Sequence, residues 1–347
     1  MRRVVVLGLF ALLACSDAGL TQGPGPIAAP TSSSSSSGSV PDAGGTGDDD
    51  DDTTEPPPTP EGWGDPKTTR RPGMLRVAQL NVRRLFDTKC DSGSCSADGF
   101  EAQSTQAAFD KKVAQIATAL ATLQADVITL AEVENQVCLD AVKKGLDDAG
   151  FPYPVAYVAE TGANGSIDVA VLARGKLGEV KNYKDTTSLQ PYGSNLKFTR
   201  ELPEVHLTLG KSEVVVFAAH FRSKSNDDPI RRLAEARATH DIMKATGDAN
   251  KTALVVLGGD LNDTPGSEPL KALETDGALL RVASDLPEAE QGTYRFQGAD
   301  QAIDHIFVTK NHKDAYVAKS AKVARDAGRS GFAGSDHASL RADFTLP

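Results

Sequence analysis

Asn81, Glu132 and His220 each close a short apolar run (75–80, 127–131 and 214–219), and Asp260 closes 254–257 after Gly258 and Gly259. Runs of this length bounded by polar residues read as buried strands, and in open α/β sheets ligands collect beyond the carboxyl ends of strands. Two later segments reverse the order: Asp304 precedes 306–308, and Asp336 and His337 precede 340–344. With Asn262, two residues after Asp260, the set combines hard oxygen donors, which suit a divalent cation, with imidazoles, which move protons near neutral pH. That combination is the chemistry of metal-assisted hydrolysis.

Within the set, Glu132 supplies an anionic ligand and Asn81 a neutral oxygen that completes coordination without adding charge. Mg²⁺ suits such donors, with Mn²⁺ or Ca²⁺ as alternative occupants. Asp260 and Asn262 are expected to face one pocket across a tight Gly-Gly-Asp turn; an Asx turn accounts better for Asp263 than for Asp260. Asp304 is the expected carboxylate partner of His337, fixing its tautomer and raising its basicity. His206, His240, His305 and His312 read as packed residues, with His305 on the opposite side of its strand from Asp304.

The elements that must position these residues follow from periodicity. Phe109, Val113, Ile116, Leu120 and Leu123 recur at steps of four and three, an amphipathic helix leading into the strand that ends at Glu132. A second helix is expected from 229 to about 245, with Arg231 and Arg232 at an exposed start, and further strands near 154–159, 167–173, 203–209 and 304–308. Residues 74–347 thus read as one α/β domain.

The segment before it has a different composition. Residues 1–15 carry Arg2 and Arg3, an apolar stretch and then Leu12-Leu13-Ala14-Cys15. This is an export signal too short to span a bilayer, and its ending resembles a bacterial lipobox in which Cys15 is acylated; an ordinary cleaved signal peptide is the alternative. Residues 16–73 hold a serine run, five consecutive Asp at 48–52 and Pro56-Pro57-Pro58. They cannot bury enough apolar surface to offset chain entropy and read as a disordered tether. Removing the ten acids and five bases of residues 1–73 from the totals of 47 and 37 leaves 37 and 32, net −5, for the domain. A mildly acidic domain without a large basic patch weakens, but does not exclude, a nucleic-acid substrate. In an oxidising compartment Cys90 and Cys95 are close enough in sequence for a local disulfide that leaves Cys138 free, although either could pair with Cys138 instead. Zinc is disfavoured by the absence of a CxxC pair.

The segments AQLNVRRLFDT, ADVITLAEVEN, DVAVLAR, FTRELPEVHL, AAHFRSK, GGDLNDTP, AIDHIFVT and GSDHASLRADF, in this order, resemble the endonuclease/exonuclease/phosphatase superfamily. Residues 106–135, HFRSK and YRFQG with IDH are most similar to its secreted bacterial nucleases. The resemblance implies a four-layer sandwich, two mixed β-sheets face to face with helices outside and the site at one open edge. It also implies metal-dependent phosphodiester hydrolysis. On that reading Asp336 joins Asn81 and Glu132 as a metal ligand, and Asp260 orients or deprotonates the attacking water. Asn262, Arg200 and Arg222 contact phosphate, His337 acts at the scissile phosphate, and His220 stabilises its oxygens. The implied protein is an exported nuclease acting on extracellular DNA or RNA, touching a membrane only through lipidated Cys15 and with no obligate protein partner evident. A phosphoesterase of the same fold acting on lipid headgroups or sugar phosphates is the alternative within the enzymes, and a catalytically silent surface-binding protein the alternative outside them. A sphingomyelinase would need an apolar docking hairpin, and aromatic residues make up only 5% of the chain.

Overall fold

The structure, a computed structural model, describes residues 73–96, 99–102 and 104–346. The signal segment 1–15 and the tether 16–73, apart from Gly73, lie outside the described residues. In chain order the elements are β1 (Met74–Leu85), α1 (Gln106–Leu123), β2 (Val127–Val133), α2 (Gln136–Asp148), β3 (Val155–Ala159), β4 (Asp168–Ala173), β5 (Lys176–Asn182), β6 (Pro203–Leu209), β7 (Ser212–His220), α3 (Pro229–Ala249), β8 (Leu254–Asp260), α4 (Glu268–Leu273), β9 (Leu279–Arg281), β10 (Tyr294–Phe296), β11 (Ala299–Gln301), β12 (Asp304–Thr309), β13 (Lys322–Ala324) and β14 (Ser339–Thr345).

Local chemistry sets the helix starts. The side chains of Thr105, Asn135, Asp228 and Ser267 each accept a backbone N–H of the first turn of α1, α2, α3 and α4. In α1 the apolar stripe read from the sequence is the buried face. The second helix runs to Ala249 rather than 245. Gly247 does not stop it, because a glycine costs a helix only about 1 kcal/mol and here lets α3 approach the Thr309 side chain, 3.1 Å from where a Cβ would stand.

Two six-stranded sheets form, ordered β13-β14-β1-β2-β4-β3 and β5-β6-β7-β8-β12-β9, with β10 and β11 a separate hairpin. The β1–β2 and β7–β8 pairs are parallel and the others antiparallel, so both sheets are mixed. One apolar cluster, including Leu75, Val77, Val169, Val214, Val256 and Ile306, fills the seam between them. A second packs α1 and α2 on the outside of one sheet, and a third packs α3 and α4 on the outside of the other. Each Val, Leu, Ile, Phe or Met side chain buried in these layers contributes roughly 1.5–3 kcal/mol. The architecture is the four-layer sandwich.

Along the seam, alternate residues turn from apolar to polar at the same end. On β1, Leu75 and Val77 give way to Gln79 and Asn81; on β8, Leu254 and Val256 to Gly258 and Asp260; on β7, Val214 and Val216 to His220. β12 runs the other way, so its first residue, Asp304, pairs with Asp260. Gly258 and Gly259 belong to β8 and make no turn, which corrects the expected Gly-Gly-Asp turn. They are needed for close approach: a Cβ on Gly258 would lie 2.3 Å from Thr129 Oγ1, and one on Gly259 2.3 Å from the Ala219 carbonyl.

Candidate active site

Period-two alternation on β2 would send Glu132 to the helix side with Ile128 and Leu130. A bulge between Ala131 and Val133, with Glu132 at φ 68°, turns its side chain to the polar end of the seam instead. There Asn81 Nδ2 donates to both Glu132 Oε1 (3.1 Å) and Asp260 Oδ2 (3.0 Å). Arg83, Arg84 and Asn262 also have positive φ. Such left-handed non-glycine residues carry strain that the surrounding structure must hold in place.

His337 Nδ1 and Asp304 Oδ2 are 2.9 Å apart. Gln79 Nε2 donates to the other oxygen of Asp304 (2.9 Å), and Asp304 N donates to Thr293 Oγ1 (3.1 Å). The dyad is therefore fixed from β1 and from the residue that precedes β10. Asp260 Oδ2 lies 3.9 Å from His337 Nε2 and 3.7 Å from His220 Nε2, while its Oδ1 accepts from Asn262 N (2.9 Å). Asn262 Nδ2 donates to the Phe221 carbonyl (3.2 Å). Arg200 is held in the field of Glu132, Asp260, Glu235 and Arg222. Arg200 Nη1, Arg222 Nε and His220 Nδ1 are buried without hydrogen-bond partners among the described residues. Asp336 stands at the rim, 3.7 Å from Arg83 Nε, outside the compact group of Asp260, Asp304 and His337.

Burial favours the neutral form of His337, but the charges of Asp304, Asp260 and Asp336 and the Asp304 hydrogen bond outweigh it and raise the ring to about 10. His220 behaves oppositely: burial, then the charges of Arg200 and His337, push it well below its usual range. Burial, then the charge of Asp304, lifts Asp260 well above the usual carboxylate range. At neutral pH the site thus holds a charged imidazole, a neutral one, and a carboxylate with appetite for a proton.

The donor set fits a hard divalent cation. Among the described residues no lysine, arginine or histidine pairs with the Glu132 carboxylate, which one amide bridges to Asp260. Asn81, Glu132 and rim Asp336 are the residues that would hold the ion; the Asn81 oxygen accepts from Arg83 N (2.9 Å) and keeps a second lone pair.

Arg231 and Arg232 are not an exposed helix start. Arg232 is buried and paired with Asp227 (2.6 Å) and Asp263 (3.0 Å), and Arg231 donates to the Lys197 carbonyl. Asp263 also takes Lys224 (3.0 Å) and Thr264 N, so it braces the loop after β8. His305 Nε2 donates to the Asp263 carbonyl (3.0 Å) on the side away from Asp304. Gln79, Thr293, Tyr294 and Lys112 escape the sequence reading. Tyr294 lies over the His337 ring, centroids 4.9 Å apart. Lys112 binds the Arg83 and Arg84 carbonyls, and burial, against the pull of Glu132, lowers it to about 8. Of these only Gln79 left a signal, a polar residue two before Asn81 on the inward face.

The sequence profile of the Endonuclease/Exonuclease/phosphatase family matches residues 76–328. The chain belongs to the endonuclease/exonuclease/phosphatase family. Solved structures share the fold: truncated TDP2 of Caenorhabditis elegans superposes at TM-score 0.55 and 16% identity, covering 78% of this chain and 97% of that one. The human Nocturnin catalytic domain, with bound sulfate, gives 0.54 and 19% over 79% and 95%. TDP2 of D. rerio, in complex with a single-strand DNA product, gives 0.51 and 15% over 78% and 98%. A comparison with curated protein sequences finds no match. Membership gives the chain the phosphodiesterase and nuclease fold of that family.

Proposed function

We propose that the protein is a divalent-metal-dependent nuclease that cleaves DNA, exported and held at the cell surface through acylated Cys15. One observation carries the reading. The Asp304–His337 dyad faces Asp260 across 3.9 Å, beside buried nitrogens of Arg200, Arg222 and His220 that have no hydrogen-bond partner among the described residues. Orphaned buried donors are costly unless a ligand completes them, and an arginine fork matches a phosphate.

Asp260 accepts the proton of the attacking water. Charged His337, oriented by Asp304, stabilises the growing negative charge and can deliver a proton to the leaving oxygen. Neutral His220 contributes an N–H, and Arg200, Arg222 and Asn262 hold phosphate oxygens. A cation at Glu132 would supply charge neutralisation and a lower water pKa. Exposed Phe296, with Tyr294 over His337, offers a face on which a base can stack. The β10–β11 hairpin carries one exposed aromatic, Phe296, between Arg295 and Gln297, a poor wedge for a bilayer. The DNA product described in D. rerio TDP2 and the sulfate in human Nocturnin are consistent with an anionic, base-bearing substrate.

The test is the purified full chain with Mg²⁺ on plasmid DNA, single-stranded DNA, RNA, sphingomyelin and inositol phosphates in parallel. DNA cleavage is expected to dominate. Hydrolysis of sphingomyelin or inositol phosphates without DNA cleavage would overturn the reading, and silence on every substrate would point to a binding protein. Cys15→Ser should release the protein from the membrane fraction.

A further inference from the structure

β1 and β2 stay in step as far as Asn81 opposite Ala131 and regain their pairing at Leu85 opposite Val133. Residues 82–84 of β1 therefore lie against Glu132 alone, and the surplus is taken up where Arg83 and Arg84 turn left-handed, at φ 53° and 51°. Such a conformation costs a residue with a side chain roughly 1–2 kcal/mol. In return the turn touches all three residues that would hold the ion. Arg83 N donates to the Asn81 side-chain oxygen (2.9 Å), Arg84 N donates to Glu132 Oε2 (2.9 Å), and Arg83 Nε stands 3.7 Å from Asp336 Oδ2. The carbonyls of the same two residues meet α1, where Lys112 Nζ donates to Arg83 O and to Arg84 O (3.0 Å). A strained backbone persists only where its surroundings over-determine it, and the Lys112 ammonium grips both strained residues at once.

We propose that Lys112 is a positioning residue for the metal centre: it holds the left-handed Arg83–Arg84 turn so that the two N–H groups orient Asn81 and Glu132. The inference rests on the metal-dependent reading above. Its sign separates it from a simple effect of charge. The Lys112 ammonium lies in the field of Glu132 and Asp336, so as a charge alone it opposes a cation held by the same carboxylates. Removing a mere charge would tighten metal binding, whereas removing a brace loosens it.

The experiment follows Mn²⁺ binding to the purified full chain by electron paramagnetic resonance, with DNA cleavage in Mg²⁺ and thermal unfolding alongside. Lys112→Met keeps most of the stem and removes the donors. It should raise the Kd for Mn²⁺ roughly tenfold, the lower end of the usual loss when a group that orients a metal ligand is removed. The Mg²⁺ concentration for half-maximal cleavage should rise by the same factor, while kcat at saturating Mg²⁺, KM for DNA and Tm change little. Lys112→Arg, which keeps the charge and can donate to both carbonyls, should restore most of the affinity. Glu132→Gln marks the site, since binding that survives it belongs elsewhere in the chain. If Lys112→Met does not fold, Lys112→Gln serves with the same expectation. An unchanged or lowered Kd in Lys112→Met would overturn the proposal, and a Lys112→Arg protein as weak as Lys112→Met would overturn it by assigning the loss to the packing of α1. An unaltered protein that binds Mn²⁺ through Glu132 but cleaves no nucleic acid would refute the nuclease reading alone, with Lys112 still decided by the Kd. An unaltered protein without Mn²⁺ binding that Glu132→Gln removes would overturn both.

Discussion

Glu132 and Glu134 are two residues apart, yet they serve two acidic groups built on opposite principles. At the seam edge, Asp260 and Asp304 face the imidazole of His337, and buried nitrogens of Arg200 and His220 without hydrogen-bond partners among the described residues lie beside them. In the loop beyond, Asp87, Glu101 and Glu134 face backbone N–H groups, an asparagine and one another. A cluster of acids therefore says little about function until what faces it is known. The first group carries its own positive charge and leaves donors free for an anion; the second faces no lysine, arginine or histidine among the described residues and holds Glu101 within hydrogen-bonding reach of Glu134.

Chelation should break the seam-edge group, and this is the largest effect. EDTA should reduce DNA cleavage to background, and Mg²⁺ alone should restore it, because among the described residues no lysine, arginine or histidine pairs with Glu132 to replace the ion. Turnover at full rate in chelator would refute metal dependence. Glu132→Gln should shift the Mg²⁺ requirement upward with little change in melting temperature.

Next in size is the dyad. His337→Ala should lower kcat by roughly two to four orders of magnitude, the usual range for losing a proton-transfer group, with KM little changed. Asp304→Asn should act in the same direction more mildly. The double variant should be scarcely worse than His337→Ala alone, since the two side chains form one unit; fully additive losses would assign Asp304 another role. Arg200→Ala should cost roughly 10–100-fold in kcat/KM, the value of a charged hydrogen bond, and Arg200→Lys should recover only part of it because the fork is lost. An Arg200→Ala enzyme with unchanged kcat/KM would remove Arg200 from the phosphate site.

The fold and the polar set were legible because strand ends in this architecture change from apolar to polar at a fixed period. Asn81, His220, Asp260 and Asp304 all obey that period, and Asp304 with His337 could be paired on charge alone. Glu132 reaches the same pocket only through a bulge at φ 68°, which no periodicity announces. The role of Gly258 was misread as a turn because the close approach of Thr129 comes from the opposing sheet, information that a linear pattern does not contain. Arg232 was misread for the same reason: its partners Asp227 and Asp263 come together only in the folded chain. Gly258→Ala tests this directly. It should destabilise by about 1–3 kcal/mol, the cost of overpacking, and urea unfolding with an unchanged midpoint would show that the seam can yield.

The smallest effect separates the two groups by pH. His337 has a folded value of about 10 against about 6.5 unfolded. A raised value means that the folded state binds the proton more tightly, so the stabilisation is fully present below pH 6.5 and is lost as pH rises through about 10. The melting temperature of the unaltered protein should therefore decline over that window. The decline should be shallower in His337→Asn, which has no proton to lose. In the loop group Glu134→Gln should leave the slope above pH 8 unchanged, because nothing there is a buried imidazolium. A slope that persists in His337→Asn would place the titration elsewhere and would remove the charged imidazole from the proposed chemistry.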